Sequence, residues 1–117
     1  MEHPPRAHWR FYRTANGRSP VEEFLASIPL QDRASITAAM HEARIEGLRI
    51  ARHIENDLYE LRAVGMRAHY RLIFAQEAKF ILLAVDVFDK DTRRMPLQVK
   101  KRALDRLRDW RARGHQR

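Results

Sequence analysis

Cysteine is absent from this chain of 117 residues, which excludes disulfides, thiolate metal sites and cysteine nucleophiles at once. The absence agrees with a reducing compartment and leaves histidine and carboxylate metal ligands open. The opening Met1-Glu2-His3-Pro4-Pro5-Arg6 lacks the apolar core of a signal peptide, and the longest apolar run, Phe80 to Val85, is far too short to span a bilayer. The expectation is a soluble, cytoplasmic protein with no membrane partner. Also missing are a glycine-rich phosphate loop, a helical His-Glu-x-x-His and a nucleophile elbow.

What the chain has in excess is positive charge. Lys and Arg number 23 against 15 Asp and Glu, a formal net charge of +8, and such an excess favours polyanions because each neutralised phosphate releases counterions. Nucleic acid, an acidic protein and an anionic membrane surface all fit that description. A composition 44% hydrophobic and 32% charged, with no low-complexity run, argues for a globular fold. The length suits one domain over residues 1–117.

Along the chain, Trp9-Arg10-Phe11-Tyr12-Arg13 alternates as a strand does, with Trp9 and Phe11 toward the core, and Asn16-Gly17 ends it with a turn. Ser19-Pro20-Val21-Glu22 has the ingredients of a capping box, and Val21, Phe24, Leu25 and Ile28 make an apolar stripe that Pro29 stops. A second helix opens near Asp32, runs through Ile36, Ala39, Met40 and Ala43 and stops at Gly47, forming a hairpin with the first. From Leu48 to Asp57 the period is lost, and a loop carrying Arg49, Arg52 and His53 is expected. After Pro96 a last helix places Leu97, Ala103, Leu104, Leu107 and Trp110 on one side, and Gly114 ends it.

Between these lie three strand-like segments, 58–62, 67–74 and 80–88, with short turns at Val64-Gly65 and Ala75-Gln76-Glu77 that make a meander the simplest topology. Side chains alternate across a strand. Tyr59, Leu61, Ala68, Tyr70, Leu72 and Phe74 then share the core face with Ile81, Leu83, Val85 and Val87. Glu60, Arg62, Arg67, His69 and Arg71 fall on the other face with Leu82, Ala84, Asp86 and Phe88, Lys90 standing at its rim. The helices would cover the first face and leave the second open.

That second face suits a phosphodiester, since arginine offers a bidentate fork to phosphate oxygens and fixed cations stabilise a developing phosphorane charge. RNA cleavage through its own 2′-hydroxyl needs a base, cations and an acid for the leaving oxygen. Arg62, Arg71 and Lys90 are candidates for the cations, and Glu60 and His69 for proton transfer. Phe88 is the better candidate for stacking on a base, because Tyr59 and Tyr70 occupy core positions. The competing reading is that Glu60 and Asp86 simply pair with Arg62 and Arg71.

Leu58-Tyr59-Glu60-Leu61-Arg62, Tyr70-Arg71-Leu72-Ile73-Phe74 and Phe88-x-Lys90-x-Thr92-x-Arg94-x-Pro96, taken with the element order, make the chain resemble the RelE/HigB-like toxins of type II toxin-antitoxin systems, in the phage-related HigB-like branch. The resemblance implies a small α+β RelE-like fold: an N-terminal strand and helical hairpin, a twisted antiparallel sheet and a C-terminal helix. It further implies ribosome-dependent mRNA endonuclease activity without a cofactor, with the ribosome, mRNA and a cognate antitoxin as partners. Arg62 and Arg71 match the sheet arginines of that family, and Lys90, Thr92 and Arg94 its lysine-threonine-lysine motif, with Asp91 where the branch carries a second lysine. Arg67, Phe88, Thr92, Arg93 and Arg94 are the expected RNA contacts, and no metal site is expected. A ParE-like gyrase inhibitor without nuclease activity, or a non-catalytic nucleic-acid-binding module, would share the fold.

Overall fold

The computed structural model describes residues 6–90 and 95–114. Its elements are β1 (His8–Phe11), α1 (Pro20–Ser27), α2 (Leu30–Glu46), a 3-10 turn (Gly47–Ile50), β2 (Arg52–Glu55), β3 (Leu58–Val64), β4 (His69–Ala78), β5 (Ile81–Asp89) and α3 (Leu97–Ala112). Proline at the first helical position starts α1 where expected, and the helix ends before Pro29. The capping box does not form. Ser19 makes no side-chain cap and its hydroxyl is buried without a partner among the described residues, while Glu22 and Glu23 turn outward to Arg13 and Arg18. Gly47, at φ 66°, ends α2, in the left-handed region that glycine enters without strain.

The strands form one five-stranded sheet in the order β1-β5-β4-β3-β2. β3, β4 and β5 are the expected meander, but the sheet is mixed rather than wholly antiparallel, because β1 pairs parallel with β5. A second correction concerns residues 48–57. The expected loop contains β2, antiparallel to β3 at the edge of the sheet. The β4–β5 turn lies at Lys79-Phe80 rather than at Ala75-Gln76-Glu77, which belong to β4.

Both faces of the sheet are covered. Val21, Ile36, Met40 and Ala43 of α1 and α2 bury Leu61, Leu72, Phe74, Leu82, Ala84 and Val87 on one side. Trp9 packs there too, its indole N–H donating to the Met40 carbonyl at 2.7 Å. On the other side α3 lays Val99, Ala103, Leu107 and Trp110 over Leu58, Ile73, Ala75, Leu83 and Val85. Leu97, assigned to the apolar side of this helix, is exposed, and Val99 is buried in its stead. The face expected to lie open is therefore mostly core, and only its end beyond Ile73 stays polar.

A register shift produces that division in β5. Ile73 pairs with Asp86 but Phe74 with Ala84, so Val85 is an extra residue and the alternation slips by one. Leu82 and Ala84 consequently share the α1–α2 face with Val87, whereas Leu83 and Val85 share the α3 face with Phe88. Strict alternation had paired Val87 with Val85 and Phe88 with Ala84. At the same end of the sheet, the first turn of α2 is fastened to the β3–β4 turn. The buried carboxylate of Asp32 accepts hydrogen bonds from the backbone N–H groups of Met66 and Arg67 and from the Tyr70 hydroxyl.

Candidate functional site

The site grows from the register of β3 and β4. Arg62 lies directly opposite Arg71, and like charges so placed repel unless something between them is negative. Glu60 supplies the charge. It is two residues before Arg62 on the same face, and Arg71 Nη1 donates to both its carboxylate oxygens at 3.0 and 2.9 Å. Arg62 Nε stands farther off, at 3.6 Å. The Glu60 and Arg71 side chains are 1% and 6% exposed, against 59% for Arg62, so one arginine is fixed in the floor and the other reaches into solvent. Arg71 Nε is buried with no hydrogen-bond partner among the described residues.

Lys90 comes directly after β5, its backbone N–H donating to the His69 carbonyl at 2.6 Å. Partial burial, then the charges of Arg71 and Arg62, hold the Lys90 ammonium below the ordinary lysine pKa; Glu60 opposes this and Arg52 adds to it. Arg52 pairs with Glu60 across the β2–β3 ladder, which puts it on the same face. The group is thus four cations around one carboxylate already committed to Arg71. Arg52 and Lys90 make no ion pair among the described residues.

Beside this group a cleft of about 300 Å³ opens, lined by Arg52, His53, Ile54, Glu60, Arg71, Met95 and Lys100. Lys100 of α3 is tied to Glu55 of β2 at 3.0 Å. Among the described residues no group of three histidine or acidic side chains is placed to hold a metal ion.

The other expected residues are more scattered. His69 is exposed at the start of β4, on the face of Arg71 by parity. Arg67 is exposed in the β3–β4 turn, where its backbone N–H serves Asp32. Phe88 lies in register with Arg71 but is partly buried against the α3 cluster, so its ring belongs more to packing than to a free stacking surface. Thr92, Arg93 and Arg94 lie outside the described residues. Asp86 does not pair with Arg62 or Arg71. It accepts from Arg102 Nε at 2.8 Å and lies 3.3 Å from Arg106 Nη1, and so fastens α3 to the sheet. Arg49, expected in the loop, pairs with Glu46 and stays exposed.

Arg52, Met95 and Lys100 entered no predicted site. Asn56-Asp57, with Asn56 at φ 51°, is the signal that points to Arg52. Two residues with turn chemistry directly before a strand demand a partner strand ahead of them.

Comparison with families of known proteins matches residues 23–108 to a family described as phage-derived protein Gp49-like (DUF891). The matched span runs from α1 through most of α3 and includes Glu60, Arg62, Arg71 and Lys90. Comparison with curated proteins gives no match. No helix among the described residues is long and apolar enough to cross a membrane.

Proposed function

The chain belongs to the phage-derived Gp49-like family, and from that premise and the cationic group on the sheet we propose that it is a HigB-like toxin that cleaves mRNA on the ribosome and is neutralised by a cognate antitoxin. The observation that carries this reading is the cross-strand pair Arg62–Arg71 with Lys90 beside it, four cations including Arg52 sharing one buried carboxylate. A surplus of charge at one spot is costly in the free protein and is relieved by an anion that brings more than one negative oxygen. A phosphodiester passing to a pentacoordinate phosphorane is such an anion.

In this scheme Arg71, immobilised by Glu60, and Arg62, free to adjust, receive the non-bridging oxygens. Glu60 positions Arg71, since both its oxygens are already engaged. Lys90, its ammonium pKa lowered by burial and then by Arg71 and Arg62, serves proton transfer at the 2′-hydroxyl or the leaving 5′-oxygen. His69, exposed one same-face step from Arg71, is the second candidate for that role. The acidic antitoxin would cover this end of the sheet, where like charges accumulate.

Induced expression with mapping of cellular RNA ends tests the proposal. Growth arrest with cuts phased to codons is expected, and both should vanish in Arg62→Ala. Growth arrest with intact messages and induction of the DNA-damage response would instead assign the chain to gyrase inhibition.

A further inference from the structure

We infer that the cleft between β2 and the start of α3 is a subsite for a single nucleobase of the RNA, next to the phosphate held by Arg62 and Arg71. The inference rests on the proposed function for the identity of the polymer and on the cleft itself for the base.

The walls of the cleft differ from its rim. Ile54 of β2 and Met95 ahead of α3 are partly buried apolar side chains packed with the α3-side core. Both line the cleft, and a methionine thioether is polarisable enough to lie against the π-face of a base. The floor is the Glu60–Arg71 pair, so the base-holding space and the proposed phosphate site share a residue. The rim carries Arg52 and Lys100. Lys100 is neutralised by Glu55, which leaves the exposed Arg52 as the charge available to a neighbouring phosphate. His53 contributes little, because its ring is turned to Tyr59, at a centroid distance of 5.1 Å, and its Nε2 lies 2.7 Å from the Asn56 carbonyl oxygen.

A volume of about 300 Å³ lies at the lower end of small-molecule sites and accommodates one nucleotide rather than a stacked pair. The base must therefore be unstacked from its neighbours, as single-stranded RNA allows. Two other hollows do not compete. In the one along α3 the Tyr12 hydroxyl is taken by Asp109 and the guanidiniums of Arg102 and Arg106 by Asp86, and the charge of Arg111 in the other is balanced by Glu77 and Asp57.

The test is methyl NMR of the full chain, monitoring Met95 and Ile54 while adenosine and guanosine 3′-monophosphates are added, with inorganic phosphate as the second titrant. Shifts of both methyls with a nucleotide but not with phosphate are expected, with the dissociation constant rising roughly tenfold in Arg52→Ala through loss of one charge-assisted contact. The same shifts with phosphate alone, or none with any titrant, overturn the subsite. Should Met95→Ala fold poorly, Ile54→Ala provides the second wall variant, and unchanged affinity in a folded form of either also overturns it. RNA-end mapping separates the two claims. Cleavage without methyl shifts removes the subsite and keeps the nuclease, whereas nucleotide-specific shifts without cleavage do the reverse.

Discussion

Arg71 donates through one nitrogen to both oxygens of Glu60, and neither side chain is more than 6% exposed. Removing either partner strands the other as a buried charge, which costs on the order of 3–5 kcal/mol. Glu60→Ala should therefore lower the urea midpoint sharply, with Arg71→Ala close behind. Glu60→Leu combined with Arg71→Met should recover most of that stability while abolishing RNA cleavage. A double variant that folds and still cleaves would remove Arg71 from the chemistry.

Arg62 is the complementary case. With 59% of its side chain exposed and Glu60 no nearer than 3.6 Å, it contributes within about 1 kcal/mol to folding. Arg62→Ala should melt close to the parent yet lose about two orders of magnitude or more in RNA cleavage, the usual scale for removing one donor from a developing oxyanion. Purified ribosomes programmed with a short message give the rate directly. A loss confined to KM would limit Arg62 to substrate binding.

Asp32 and Gly65 join α2 to the sheet. A Cβ at Gly65 would stand 2.5 Å from the Asp32 carboxyl carbon, so Gly65→Ala must push the carboxylate off its donors. The Tyr70 hydroxyl bond is the main reason the Asp32 pKa lies below the ordinary aspartate value, and burial together with Asp32 pushes Tyr70 up to about 12. A depressed folded-state pKa contributes stability that is complete above the unfolded value, about 3.9, and disappears as pH falls through the folded one. Asp32→Asn should accordingly lower Tm at pH 7, with Gly65→Ala costing on the order of 10 °C, and flatten the parent's loss of stability below about pH 4. Because both changes break the same bonds, their effects should not add.

The face assignment of Glu60, Arg62 and Arg71 was legible because strict alternation holds through β3 and the first half of β4. It failed in β5, where the extra residue at Val85 leaves Val87 and Phe88 on their assigned faces but turns Leu82 and Ala84 toward α1–α2 and Leu83 and Val85 toward α3, and a bulge leaves no mark in a run as uniformly apolar as Ile81–Val85. The covered second face was hidden for a related reason. Leu83 and Val85 read as one side of an amphipathic strand, yet with Leu82 and Ala84 opposite them both sides are apolar, which is the pattern of a strand buried twice. Asp32 looked like the opening residue of a helix, as acidic residues there usually are. Its distant partners Met66, Arg67 and Tyr70 are a tertiary matter that no local pattern announces.

Lys90 provides a check of the site that needs no RNA, read in variants that stay folded. Its pKa is lowered by burial first, then by Arg71 and Arg62, and to a smaller degree by Arg52, while Glu60 alone acts in the opposite sense. Deleting a repelling charge favours the ammonium, so Arg62→Ala should move the Lys90 titration to higher pH and Arg52→Ala should move it the same way by less. Glu60→Gln removes the attraction and should lower it further. Raising the salt concentration should damp the Arg62 and Arg52 effects, because those side chains are exposed. Carbon-detected NMR of the lysine ε-methylene reports each titration separately. Movement in the wrong direction for Arg62→Ala, or none, would separate Lys90 from the sheet arginines and leave His69 as the group to examine for proton transfer.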